Sequence, residues 1–127
     1  MLPAIVSYLK GTDFSYERTK EVYNMHLNSY QLEAAETAQY NEKFYPIASL
    51  MVEAAELSDL FVKPMLRGDS VDIDRAKVVS EAGDVLWNLA MILKDSDITL
   101  EEVAQQNLRK LKSRAVRGVI QGSGGER

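Results

Sequence analysis

The chain has 127 residues, of which 46% are hydrophobic and 27% charged, with no cysteine and a formal net charge of −4 at neutral pH. That balance excludes a disordered or fibrous chain and fits one globular domain spanning 1–127. The missing cysteines exclude a disulfide scaffold, thiolate metal sites and a cysteine nucleophile, and the acidic net charge argues against bulk nucleic-acid binding.

The N-terminal stretch Met1 to Leu9 is apolar but short. It has no leading basic residues and runs into Lys10-Gly11, so it reads as neither a signal peptide nor a membrane span, and a cytoplasmic protein with no membrane partner is expected. Apolar spacings of three and four recur while period-two alternation is almost absent, which predicts an all-α, four-helix-bundle-like fold with an extra N-terminal helical segment. Leu2 to Lys10 is a short helix candidate closed by Gly11. From Tyr16 the stripe Thr19, Tyr23, Leu27, Tyr30 and Ala34 predicts a second helix down to about Tyr40, with a break near Asn24 or Asn28.

Pro46 suits the opening of the next helix, whose buried side is expected to be Ile47, Leu50, Met51, Ala54, Leu57 and Phe61, ending at Lys63-Pro64. A turn follows at Gly68 to Ser70, and Asp72 or Asp74 caps a further helix running to about Lys94. In it Val78, Ala82, Val85, Leu89 and Ile92 form a core stripe, with Lys77, Glu81, Asp84 and Asn88 forming another beside it. Thr99-Leu100-Glu101-Glu102 is a capping box that starts a last helix near Leu100, burying Val103, Leu108 and Leu111. The other face of that helix is basic, with five basic residues and no acid between Arg109 and Arg117. Residues 118–127 are glycine-rich, too poor in apolar side chains to pack alone, and expected to be mobile.

The chemistry points to two carboxylate pairs of identical spacing, Glu53-Ala54-Ala55-Glu56 and Glu81-Ala82-Gly83-Asp84. A step of three residues on an α-helix turns about 300° and rises about 4.5 Å, so each pair shares one face. Two such helices side by side gather four carboxylates. Their mutual repulsion beside apolar packing is sensible only with a neutralising cation, and all-oxygen ligation suits Mg²⁺ or Mn²⁺. A single acidic pair at this spacing is ordinarily a solvated face, but both pairs here lie among Ala, Val, Leu, Met and Trp, and Gly83 costs helix propensity that a close approach of helix or ligand would justify. A di-iron centre wants Glu-x-x-His on facing helices, and the one histidine, His26, is preceded three residues earlier by Tyr23.

The segments Leu50 to Leu57, Glu81-Ala82-Gly83-Asp84-Val85-Leu86-Trp87 and Asn107 to Arg114 resemble the MazG-like all-α nucleoside triphosphate pyrophosphohydrolases, whose pattern is Glu-x-x-Glu, a spacer, then Glu-x-x-Asp. The tail from Arg117 to Arg127 is similar to the end of many small members, and Tyr30-Gln31 with Thr37-Ala38 resembles the first helix of phage and bacterial ones. The likeness covers about 28–127 and leaves residues 1–27 unmatched. Many relatives have a further glutamate where Val52 stands, so the number of ions is left open at two or more.

The resemblance implies that Glu53, Glu56, Glu81 and Asp84 hold Mg²⁺ or Mn²⁺. It implies cleavage of a nucleoside triphosphate between its α- and β-phosphates, with Glu56 and Glu53 as catalytic carboxylates and Glu56 orienting or deprotonating the attacking water. Lys110 and Arg114, four apart on the last helix, with Asn107 a turn earlier, are the expected phosphate contacts, and Arg117 and Arg127 a glycine-flanked lid. Asn88 and Trp87, and more weakly Gln31 and Asn28, are the candidates for the base. A purine deoxynucleotide such as dGTP, a role in nucleotide-pool control, the host cytoplasm for a phage-encoded member, and a homodimer or homotetramer complete the expectation. Phosphoribosyl-ATP hydrolysis and a non-catalytic helical assembly or adaptor module are the alternatives.

Overall fold

The computed structural model describes residues 25–118. The candidate helix at Leu2 to Lys10, the remainder of the N-terminal segment, Arg127 and the tail beyond Gly118 lie outside the described residues. Within them the chain forms four α-helices: α1 (Leu27–Glu36), α2 (Phe44–Leu66), α3 (Arg75–Asp95) and α4 (Leu100–Arg117). No strand occurs among the described residues, and no helix there is long and apolar enough to cross a membrane.

The helix starts follow local chemistry. Asp74 caps α3, its carboxylate accepting from the N–H groups of Ala76 at 3.0 Å and Lys77 at 3.4 Å. Thr99 caps α4 by accepting from the N–H of Glu102 at 3.1 Å, and acidic Glu101 and Glu102 in its first turn suit the positive helix start. Gly118 ends α4 at φ 71°, a left-handed conformation that glycine adopts without a side-chain clash.

Two expected boundaries change. α1 stops at Glu36 rather than near Tyr40, because Thr37 terminates it: the Thr37 hydroxyl donates to the carbonyl of Ala34 at 2.7 Å and its N–H to the same oxygen at 3.0 Å. α2 begins at Phe44, with Pro46 in its first turn, and runs through Pro64 to Leu66 instead of ending there. Pro64 falls in the last turn and cannot donate to the Leu60 carbonyl, but Arg67 still donates to Lys63 at 3.2 Å and Asp69 to the Pro64 carbonyl at 2.9 Å.

α2 and α3 pack along each other, and α1 packs on both α3 and α4. The fully covered apolar side chains, Ala34, Ala90, Met91 and Leu100, sit where α1, the second half of α3 and the start of α4 meet. Gln31 organises that joint. Its amide Nε2 donates to the carbonyls of Ala90 at 3.1 Å and Ile98 at 3.0 Å, while its Oε1 accepts from the N–H of Leu100 at 3.0 Å. Asn28 adds a bond from the N–H of Glu101 at 3.1 Å. The turn between α3 and α4, with Asp97 at φ 57°, is thereby fastened to α1.

Burial departs from the sequence pattern on α2 and α4. Ile47, Met51 and Ala54, expected in the core, are exposed, as is Leu108 on α4. Periodicity identifies an apolar face correctly but does not supply a neighbour to cover it.

Candidate metal centre and its surroundings

α2 and α3 pack along each other, and the two acidic pairs come together there. One carboxylate oxygen each from Glu53, Glu81 and Asp84 lies within 4.8 Å of the others. Glu56 stands close enough for its charge to act on both Glu53 and Glu81. Glu53 is pushed above the usual glutamate range, first by desolvation and then by the charges of Glu56, Asp84 and Glu81. Glu81 is raised in the same way, by desolvation and then by Glu56 and Asp84.

This donor set fits a hard divalent cation. All four groups are carboxylates, none is engaged by a lysine or arginine in the ion pairs of the described residues, and the raised glutamates mark excess negative charge that a cation would relieve. The helical spacing of three accounts for each pair sharing a face, because three residues on a helix return to nearly the same side.

Other expected contacts are distributed differently. Asn88, one turn beyond Asp84, is buried; its Nδ2 donates to the Asp84 carbonyl at 2.9 Å, and its Oδ1 has no partner among the described residues. Trp87 is half-buried, donates its indole N–H to the Thr37 hydroxyl at 2.8 Å, and meets Tyr40 edge-on at 6.1 Å between ring centroids. Gln31 and Asn28 spend the polar atoms described above on the α3–α4 joint. On α4, Asn107 and Lys110 line a cavity of about 620 Å³ with Ile98, Glu102 and Arg109, and none of the four carboxylates borders it. Arg114 and Arg117 follow on the last turns of the same helix.

Two features escaped the sequence pattern. Tyr30 of α1 stands near Asp84: its hydroxyl is held above the ordinary tyrosine value by burial and then by the Asp84 charge. A second hollow of about 580 Å³ opens beside Trp87, walled by Tyr40, Phe44 and Tyr45 and edged by Thr37 and Asn41. Tyr40 and Tyr45 stack there at 5.8 Å. These residues are brought together by the loop between α1 and α2, which no spacing rule reports. Of the two reasons expected for Gly83, close helix packing does not hold among the described residues, since a Cβ placed on it would meet nothing within 4 Å, and ligand approach is left.

The model of the MazG nucleotide pyrophosphohydrolase domain matches residues 45–118, a span that includes all four carboxylates. The chain belongs to the MazG nucleotide pyrophosphohydrolase family. It is also similar to the Gene 37 protein of Mycobacterium phage L5, 38% identical over 115 residues that make up 81% of this chain and 100% of that protein. No solved structure matches the chain. The MazG match takes in α2, α3 and α4 and begins after α1, so Tyr30 and Gln31 belong to the part of the molecule outside it.

Proposed function

We propose that this MazG-family chain is a Mg²⁺- or Mn²⁺-dependent hydrolase that cleaves a ribo- or deoxyribonucleoside triphosphate between its α- and β-phosphates, releasing the monophosphate and pyrophosphate. The observation that carries the reading is the meeting of Glu53, Glu56, Glu81 and Asp84 in the α2–α3 interface, with oxygens of three of them within 4.8 Å. Those four residues would hold the ion or ions. When bound, a divalent ion neutralises triphosphate charge, polarises phosphorus and makes water nucleophilic near neutral pH.

The chain's own groups supply the rest. Glu56, whose charge acts on both Glu53 and Glu81, is placed to accept a proton from the attacking water, with Glu53 beside it as its partner. The buried Oδ1 of Asn88, unpaired among the described residues, offers an acceptor one turn from Asp84 for a donor on the base or sugar, and Trp87 presents its ring on the neighbouring face. Lys110, Arg114, Arg117 and Asn107 supply positive and polar groups for the leaving pyrophosphate, with Arg127 of the tail as a further candidate. For Lys110 and Asn107 to serve, substrate must bridge the helices or a neighbouring copy must present its α4. A homodimer or homotetramer in the cytoplasm, with a purine deoxynucleotide such as dGTP as substrate and nucleotide-pool control as its purpose, is the form of this proposal to test first.

The test incubates the protein and Mg²⁺ with each ribo- and deoxyribonucleoside triphosphate and with phosphoribosyl-ATP, and measures pyrophosphate. Release from at least one, lost in Glu53→Gln and Asp84→Asn while helicity is retained, supports the reading. Orthophosphate as sole product refutes it.

A further inference from the structure

The hollow of about 580 Å³ beside Trp87 is built of aromatic rings that the fold holds in place. Trp87 is fixed by its indole bond to Thr37 at 2.8 Å and Tyr40 by its hydroxyl bond to Asp95 at 2.7 Å. Tyr40 in turn stacks on Tyr45 with an interplanar angle of 19° and meets Trp87 at 87°. Yet this wall is not core. Phe44 is 66% exposed and Tyr45 51%, so flat apolar surface stands open to water in a recess whose size lies within the ~300–1,000 Å³ of ordinary small-molecule sites. At the rim Gln39 and Asn41 carry amides with no hydrogen-bond partner among the described residues, and the one charged side chain lining the hollow is Glu42.

We propose that the heterocyclic base of the nucleotide substrate lies in this hollow, stacked on the Tyr45 ring beside Tyr40 and Trp87, and that the loop between α1 and α2 selects it through the amides of Gln39 and Asn41. The inference rests on the hydrolase reading and adds the place of the base. Three observations favour a base as the occupant. Every base has a π-face for an aromatic platform, and an amide offers both donors and an acceptor to a heterocycle's edge. Glu42 repels phosphate, so a nucleotide enters the hollow by its uncharged end. Trp87 follows Asp84 by three residues, about 4.5 Å along α3 and on nearly the same side, so the hollow begins one turn from the acidic cluster, a gap that the sugar bridges between base and phosphates.

The origin of the wall in the chain separates selection from chemistry. The four carboxylates lie within residues 45–118, the span that matches the family, whereas Gln39, Tyr40, Asn41 and Phe44 precede it. Loops vary among relatives while the elements that carry them persist. The shared helices α2 and α3 thus serve the reaction, and this chain's own loop sets which base is accepted.

The test titrates the full chain, free of metal, with deoxyadenosine, deoxyguanosine, deoxycytidine and thymidine in turn, and follows the single indole N–H resonance by NMR. At least one nucleoside should shift it saturably. Tyr45→Leu, which keeps apolar bulk but removes the flat ring, should raise the midpoint roughly 5-fold or more, and Tyr45→Phe should hold it near the native value. With a triphosphate that the protein hydrolyses, Tyr45→Leu should raise KM more than it lowers kcat, and Asn41→Ala should change the order of preference among bases. No shift from any of the four, as expected if residues 1–24 of the same chain fill the hollow, overturns the proposal. A shift that Tyr45→Leu leaves in place, or a KM and base order indifferent to both variants, overturns it as well. A base-dependent shift in a protein that releases no pyrophosphate keeps the base site and sinks the hydrolase reading; pyrophosphate release indifferent to Tyr45 does the reverse.

Discussion

The hydroxyl of Tyr40 donates to Asp95 Oδ2 at 2.7 Å, tying the loop between α1 and α2 to the last residue of α3. Burial, then this hydrogen bond, then the Asp95 charge push the Tyr40 hydroxyl up from 10.0 to about 12. The folded state thus holds a proton that the unfolded state has released between those values. Stability from this bond is complete below pH 10 and declines as pH rises toward 12. Alkaline unfolding followed by circular dichroism should show that decline, Tyr40→Phe should flatten it, and at neutral pH the variant should lose about 1–2 kcal/mol, as for a hydrogen bond to a charged acceptor.

The acidic cluster predicts the opposite of an ordinary active-site mutation. Glu53 and Glu81 are both raised, so the metal-free protein should lose stability as pH climbs through and above the ordinary glutamate value of 4.5. Glu53→Gln removes one repelling charge and should raise the melting temperature of the metal-free protein while abolishing the rise that Mn²⁺ or Mg²⁺ gives the native chain. Activity should fall by more than the ~10–100-fold that loss of an outer partner of a metal ligand costs. Thermal melts with and without metal check both signs; a native protein indifferent to metal would remove the centre from the account.

Gln31 should prove structural. Replacing it with glutamate turns a donor facing two carbonyl oxygens into an acceptor, and we expect a loss of about 2–4 kcal/mol from three bonds broken or reversed. Urea unfolding measures it. Any substrate still hydrolysed below the transition should keep its base preference, since the side chain points its polar atoms at α3 and α4.

Gly83→Ala should stabilise the protein by about 1 kcal/mol, because glycine is the poorer helix former and an added Cβ meets no described atom. A destabilising result would place another surface against this part of α3.

The parts legible in the sequence were those set by short-range periodicity. Glu53, Glu56, Glu81 and Asp84 were legible because their faces follow from helix geometry, and Asp74 and Thr99 because capping is chemistry among immediate neighbours. Gln31 was not. Its three partners lie far along the chain, and an amide on an amphipathic helix has the same signature whether it binds a ligand or closes a joint. Met51 and Ile47 misled for a related reason: apolar spacing predicts that a face wants cover, while the cover itself depends on tertiary or quaternary neighbours. The hollow beside Trp87 was invisible because Tyr40 and Tyr45 reach it through a loop whose path is set by Thr37 ending α1.

Trp87 is the chain's one tryptophan, and its indole is bonded to Thr37 and flanked by Tyr40. The molecule therefore carries a built-in optical gauge at a single known address. Its emission reports whether the end of α1 is seated on α3, in an unlabelled sample, while nucleotide or ions are titrated in.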